Sequence, residues 1–267
     1  MCLILFAAGV HSGFPLIVAA NRDEAYDRRA APAAMWEDHS NVYGGRDLER
    51  GGTWLAIARS GRFAAITNYR QGRRTGKAPR TRGELTRNYL TAAGDTLQYL
   101  QGIEEHRSEY HGYSLIVGTP DQLYFYSNRS DRITAIPPGV HGLSNRLLNE
   151  PWPKVQRGTA VLTQLLGAEE NDITQTLFDL LADRTPAPDH LLPSTGITLE
   201  RERAVSAAFI AGETYGTRAS TVLLVDAAGE VLLCERTYGP QGVPLDRREV
   251  RFQLDGAARI SAAPARA

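Results

Sequence analysis

Cysteine is scarce in this chain: its 267 residues include two, Cys2 and Cys234. Two thiols do not make a disulfide-stapled scaffold, and a chain of this length can bury a core without staples or a structural metal. Thiols used so sparingly suit a reducing compartment, and a cytoplasmic location is expected. Net charge is missing as well, with 30 Lys+Arg against 30 Asp+Glu. Nucleic-acid binders usually carry a basic excess, so no nucleic-acid partner is expected. No apolar run approaches the ~18–20 residues of a membrane-crossing helix, so no transmembrane segment is expected. The apolar start lacks the basic region that opens a secretory signal. Lysine is rare too, at Lys77 and Lys154 alone.

Several motifs are absent. The six histidines (His11, His39, His106, His111, His141, His190) show no H-E-x-x-H or other paired ligand spacing, so no metal site is expected. There is no G-x-S-x-G elbow. The stretch from Gly72 to Ala78 is too short for a phosphate loop and lacks the Ser or Thr that follows its Lys. No cofactor for catalysis is expected.

What is present is a run of hairpin and helix signals. Residues 2–10 and 14–20 are apolar runs around His11-Ser12-Gly13 and read as a buried hairpin. Residues 53–58 and 62–68 repeat the form. Residues 27–52 between them carry little regular signal. Residues 82–93 and 96–103 read as helices, the second capped by Asp95. Strands are expected at 113–118, 122–126 and 132–136, and helices at 153–166 and 173–181, the latter capped by Asn171 or Asp172. A Pro-rich loop at 185–195 precedes a hairpin of 217–226 and 230–236, a final strand at 250–254 and a tail expected to fray after Gly256. Strands in hairpins and helices in pairs indicate an α+β fold with antiparallel sheets. No linker or repeat divides the chain, so one domain over 1–267 is expected.

Cys2 stands where chemistry is conceivable. With Met1 removed it would carry both a thiol and a free α-amine. An α-amine titrates near 7.7–8.0, close to working pH, so one residue could supply nucleophile and base. Alone, Cys2 reads equally as a small buried hydrophobe in a strand. Asn21-Arg22-Asp23-Glu24 ends the second strand of the same hairpin, and antiparallel pairing returns that end beside Cys2. A carboxylate and a guanidinium there could hold the amine and lower the thiol pKa.

Further segments follow in order: Gly51-Gly52-Thr53-Trp54-Leu55, Thr67-Asn68-Tyr69, Arg82-Gly83-Glu84, Gly142-Leu143-Ser144-Asn145, Pro151-Trp152 and Tyr215-Gly216-Thr217-Arg218. With Cys2 and the Asn-Arg-Asp-Glu run, they make the chain resemble the NRDE family, also called the transport and Golgi organisation 2 family, from Cys2 to about Phe252. The resemblance implies an N-terminal-nucleophile (Ntn) hydrolase-like fold of four layers, αββα, with two packed antiparallel sheets. A more distant likeness is to cysteine Ntn amidases such as penicillin V acylase and bile salt hydrolase, although the Arg-to-Asp spacing differs from theirs. It implies Cys2 as nucleophile, with Arg22, Asp23, Asn145 and Arg218 as catalytic partners. In that scheme Asp23 orients the amine, Asn145 and Asn68 donate to an oxyanion, and Arg218 stabilises charge. Asn68 and Asn145 could equally serve turns. Trp54 and Trp152 read as packing residues.

Arg70, Arg73, Arg74, Lys77, Arg80 and Arg82 crowd thirteen positions after Asn68, with no acid before Glu84. If Asn68 lines the site, Arg70, Arg73 and Arg74 sit at its rim and suit an anionic or acyl small-molecule ligand. A solvated loop is the equal alternative. Two function classes follow: a cysteine amidohydrolase or thioesterase, or a haem, lipid or acyl-CoA carrier on an enzyme-like fold. The haem ligand would be Cys2, His11, His111 or His141.

Overall fold

The computed structural model describes residues 2–72, 76, 78–130, 132–167 and 172–256. Met1, Arg73, Arg74, Lys77, Asn171 and the tail lie outside these residues. The element order is β1 (Cys2–Ala8), β2 (Leu16–Ala25), β3 (Ala30–Met35), β4 (Val42–Asp47), β5 (Leu55–Ala58), β6 (Phe63–Asn68), α1 (Arg82–Thr91), α2 (Thr96–Glu105), β7 (Tyr113–Thr119), β8 (Gln122–Ser127), β9 (Thr134–Ala135), β10 (Gly139–Leu143), α3 (Pro153–Leu166), α4 (Ile173–Leu181), α5 (Leu199–Ala204), β11 (Tyr215–Val225), β12 (Glu230–Tyr238) and β13 (Pro244–Gln253).

The strands form two antiparallel sheets, ordered β10-β1-β2-β11-β12-β13 and β3-β4-β5-β6-β7-β8-β9. Strand alternation explains the layers. Ile4, Phe6, Leu16 and Val18 face the second sheet and meet Leu55, Ile57 and Ile116 in the central core. Leu3, Leu5, Ile17 and Ala19 face the other way and are covered by Val155 and Leu162 of α3 and Phe178 of α4. Leu85, Tyr89 and Leu100 of α1 and α2 cover the outer face of the second sheet. The result is the four-layer αββα arrangement. Asp95 caps α2 by accepting from Gln98 N–H at 3.0 Å, and Asp172 caps α4 by accepting from Gln175 N–H at 3.0 Å.

Four elements stand where the sequence expectation placed none. Residues 27–52 contain the β3–β4 hairpin. Its alanine-rich first strand includes Pro32, tolerated because β3 is an edge strand. Gly139–Leu143 is the edge strand β10, and Leu199–Ala204 is the short helix α5. The paired glycines before β5 serve the backbone. Gly51 has φ +66°, and a Cβ on Gly52 would lie 2.4 Å from the Gly83 carbonyl carbon, where α1 begins.

The register of β3 slips between Ala31 and Ala34, so the Ala33 N–H leaves the ladder. Glu235 of β12 reaches across the core to accept it at 2.7 Å and also accepts from Thr221 Oγ1 at 3.1 Å. Glu235 is 1% exposed. Burial pushes its carboxyl up to about 7, against the pull of those two hydrogen bonds and of Arg22. A carboxyl raised in the folded state binds its proton there at pH values where the unfolded chain has lost it. Stability is therefore fully present at and below pH ~4.5, falls as pH rises, and levels off above ~7, a loss of about 3 kcal/mol. Glu235→Gln imitates the protonated acid and is expected to remove that slope. Urea unfolding of both proteins at pH 5 and 8 checks this. Equal losses in the two proteins would count against it.

Candidate active site

The register pairs Cys2 with Arg22, so the two side chains share the face of the first sheet that meets the second. Asp23, one residue on, points to the helix side. It pairs with Thr217 of β11, whose Oγ1 donates to Asp23 Oδ1 at 2.7 Å, while Tyr215 Oη donates to the Asp23 carbonyl at 2.9 Å. Asn21 is a structural anchor. Its Nδ2 donates to the Leu181 and Ala208 carbonyls at 2.8 Å each, and its Oδ1 accepts from Ser220 at 2.6 Å. These bonds fix β2 to the helix layer just before Arg22 and Asp23.

A chain of hydrogen bonds then joins the sheets at this end. Ser144 Oγ donates to the Cys2 carbonyl at 3.0 Å, and Thr67 Oγ1 donates to the Ser144 carbonyl at 2.6 Å. Asn145 Nδ2 donates to the Asn68 carbonyl at 2.9 Å, and the Arg70 backbone N–H donates to the Asn145 carbonyl at 2.7 Å. Cys2, Asn68, Asn145 and Arg70 are thereby gathered from β1, β6 and the loop after β10. Asn145 is fully buried, and its Oδ1 has no hydrogen-bond partner among the described residues. One of its Nδ2 hydrogens is used by Asn68 and the other remains as a donor.

Cys2 is partly exposed and its thiol is free, as is the buried Cys234. Burial of the sulfur pushes the Cys2 thiol up, and the Asp23 carboxylate pushes the same way. The Asp23 backbone N–H and the Arg22 guanidinium pull it down. Asp23 is itself raised by burial, against the pull of Lys154, Thr217 and Arg70. Arg22 stacks over the Trp54 ring at 4.3 Å, giving that tryptophan a role beyond core packing. Arg218, at a bulge in β11, donates to the Ala25 and Arg28 carbonyls and lies within the field of Arg22.

Arg70 does not project from an exposed rim. It is buried in an ion pair with Glu202 of α5 at 2.5 Å, its guanidinium over the Trp152 ring at 4.5 Å. Glu202 also accepts from the Thr195 N–H at 3.0 Å. Arg80 is paired with Glu84 and Glu109. Arg73 and Arg74 are outside the described residues.

Sequence reasoning passed over Lys154, Glu202, Thr217 and Ser144. One signal was available for Lys154: in a chain rich in arginine it is one of two lysines, two positions after Pro151-Trp152. A cleft of about 290 Å³ lined by Leu85, Tyr99, Ile103 and Tyr110 belongs to the α1–α2 layer, away from Cys2.

Two stacked antiparallel sheets with helices outside are the architecture of the Ntn-hydrolase fold. Solved structures agree. Penicillin V acylase from Agrobacterium tumefaciens superposes with a TM-score of 0.51 at 10% identity, over 96% of this chain and 87% of that one. A mutant conjugated bile acid hydrolase from Clostridium perfringens superposes with 0.50 at 8% identity, over 96% and 94%. Within that fold the chain belongs to the Transport and Golgi organisation 2 family, whose pattern it matches over residues 1–240. It is 37% identical to the bovine Transport and Golgi organization protein 2 homolog and 33% to the human one, in each case over 89% of this chain and 93% of the relative. None of the helices among the described residues is long and apolar enough to cross a membrane.

Proposed function

We propose that this protein is a cysteine Ntn hydrolase that cleaves an amide or an acyl thioester, with Cys2 as nucleophile after removal of Met1. One juxtaposition carries the reading. A partly exposed thiol opens β1, Arg22 faces it across the ladder, and Asp23, the next residue, is buried with its carboxylate accepting from Thr217.

The chemistry is acyl transfer in two halves. As sulfur attacks the carbonyl carbon, the thiol proton passes to the Cys2 α-amine, which Asp23 orients. The oxyanion that forms takes hydrogen bonds from the Asn145 and Asn68 amides; such donors are worth about 3–4 kcal/mol each in well-studied sites. Collapse breaks the C–N or C–S bond, the ammonium returns its proton to the leaving group, and the acyl group stays on sulfur as a thioester. Water, deprotonated by the same amine, then releases the acid and restores the thiol. Arg218 and Arg22 supply positive charge for an acidic group on the substrate.

Intact mass is the first test. The chain should lack Met1, and incubation with a reactive acyl thioester should add the acyl mass to the Cys2 peptide. Complete retention of Met1 would leave the nitrogen of Cys2 an amide and refute the mechanism. The alternative, a carrier of haem, lipid or acyl-CoA, has less support for its haem form. His11, His111 and His141 each commit a ring nitrogen to a hydrogen bond within the fold. A Soret band that shifts on Cys2 or histidine substitution would favour that form.

A further inference from the structure

Tyr215-Gly216-Thr217-Arg218 opens β11 and grips the end of β2 at successive points. Tyr215 Oη donates to the Asp23 carbonyl at 2.9 Å, and Arg218 Nη1 donates to the Ala25 carbonyl at 3.2 Å. Gly216 has no room for a side chain, since a Cβ there would lie 2.5 Å from the Ile210 carbonyl oxygen. The register shifts between Thr217 and Ala219, so Arg218 is the extra residue of a bulge while Thr217 stays opposite Asp23. Thr217 is fully buried and Asp23 is 2% exposed. The bonds of Thr217 fix the direction of its hydroxyl. Its backbone N–H donates to the Ile210 carbonyl at 2.8 Å, and its Oγ1 accepts from the Ile210 N–H at 2.9 Å. A hydroxyl has one proton to give, and this one goes to Asp23 Oδ1 at 2.7 Å. A hydroxyl that donates to a carboxylate favours its ionised form and restrains its rotation.

We propose that Thr217 is a positioning residue of the Cys2 site: the Ile210 N–H aims its hydroxyl at Asp23 Oδ1, and that bond holds the Asp23 carboxylate in one orientation. The proposal rests on the reading in which Asp23 orients the Cys2 α-amine. Asp23 follows Arg22, the residue that pairs with Cys2, so a carboxylate free to turn would loosen the group that orients the base. Thr217 touches no reacting atom and acts through Asp23 alone.

The test titrates the Asp23 carboxyl by carbon NMR of isotope-labelled aspartate in the purified protein, with Asp23→Asn giving the assignment. Thr217→Val keeps the shape and removes the hydroxyl, and Thr217→Ser keeps the hydroxyl. Thr217→Val should raise the Asp23 midpoint by about one pH unit, because it removes a donor to the ionised form. Thr217→Ser should leave the midpoint close to that of the wild type. Cys2, Tyr26, Arg70, Lys154 and Tyr215 share the field of this carboxylate and are the same in both variants, so the contrast between them reads the hydroxyl. A midpoint unchanged in Thr217→Val means a merely structural threonine, and a lowered one means that Asp23 donates to Thr217. Either overturns the proposal. If Thr217→Val does not fold, Thr217→Ala, which also lacks the hydroxyl, is read by the same outcomes. A second arm follows single-turnover transfer from an acyl thioester to Cys2. Thr217→Val should slow the transfer step about tenfold or more with the half-saturating thioester concentration unchanged, and Thr217→Ser should recover it. Equal slowing in the two variants would overturn the proposal. The titration needs no substrate, so it stands apart from the hydrolase reading. The expected NMR response in a protein that takes no acyl group would support the Thr217 assignment and sink only the proposed activity.

Discussion

Cys2→Ala is expected to abolish acyl labelling of the N-terminal peptide and to cut amide or thioester hydrolysis by about 10³-fold or more. Removing a covalent nucleophile deletes the two-step route outright, and what remains is the modest catalysis of binding and oxyanion donors. The assay is a panel of N-acyl p-nitroanilides and acyl thioesters, read by release of the leaving group. Cys234 gives the internal control. Its sulfur is buried on β12 and lies 3.6 Å from Glu249 Oε2, with its pKa pushed up to about 11 by burial and by that carboxylate. A thiol held neutral there is a poor nucleophile, so Cys234→Ala should keep the acyl label on Cys2. Wild-type turnover in homogeneous Cys2→Ala would end the nucleophile reading. The haem or lipid carrier would then be the reading to pursue.

The parts of this site legible in the sequence were those set by strand pairing. A short hairpin with two apolar arms has few registers that keep both buried, so the return of Arg22 and Asp23 to Cys2 could be argued from the sequence alone. The observed pairing of Cys2 with Arg22 has that form. The α+β class followed from strands in hairpins and helices in pairs, and the four-layer arrangement from the family resemblance. Long-range partners were illegible. Nothing local to Arg70 announces that Glu202, 132 positions later, buries it, and a run of arginines reads as a solvated rim until a tertiary partner appears. The β3–β4 hairpin was missed because β3 is mostly alanine with a proline and β4 carries paired glycines and a charged end, which give little strand signal. The Ala33 N–H left out of its ladder is taken by a carboxylate from β12. Lys154 was passed over because the Val205 and Ala207 carbonyls it meets lie 51 and 53 positions away, and only packing brings them to α3.

Glu202→Gln is expected to be among the most destabilising conservative substitutions in the protein. Glutamine keeps the volume and its oxygen can still accept from Thr195, but its amide nitrogen, a donor, then faces the Arg70 guanidinium, so both the charge and the Arg70 hydrogen bond are lost. The guanidinium of Arg70 would then lie buried over Trp152 without its carboxylate. Breaking one side of a buried ion pair typically costs about 3–5 kcal/mol, because the remaining charge has been desolvated for nothing. In a chain of this size that corresponds to a fall in Tm on the order of 10 °C. The cost should be non-additive. Arg70→Met with Glu202→Gln removes the stranded charge and should recover most of the loss, since an apolar replacement of such a pair is often neutral. Thermal and urea unfolding of the two single variants and the double one check this. A loss under about 1 kcal/mol in Glu202→Gln, or losses that simply add, would mean that the pair is solvated and weak. The pair also bears on chemistry, because the Arg70 backbone N–H holds the Asn145 carbonyl and Asn145 in turn holds Asn68. A loosened Arg70 should therefore slow acylation of Cys2 more than its alkylation by iodoacetamide. Attack on a small alkyl halide creates no oxyanion, and so it does not draw on Asn68 and Asn145.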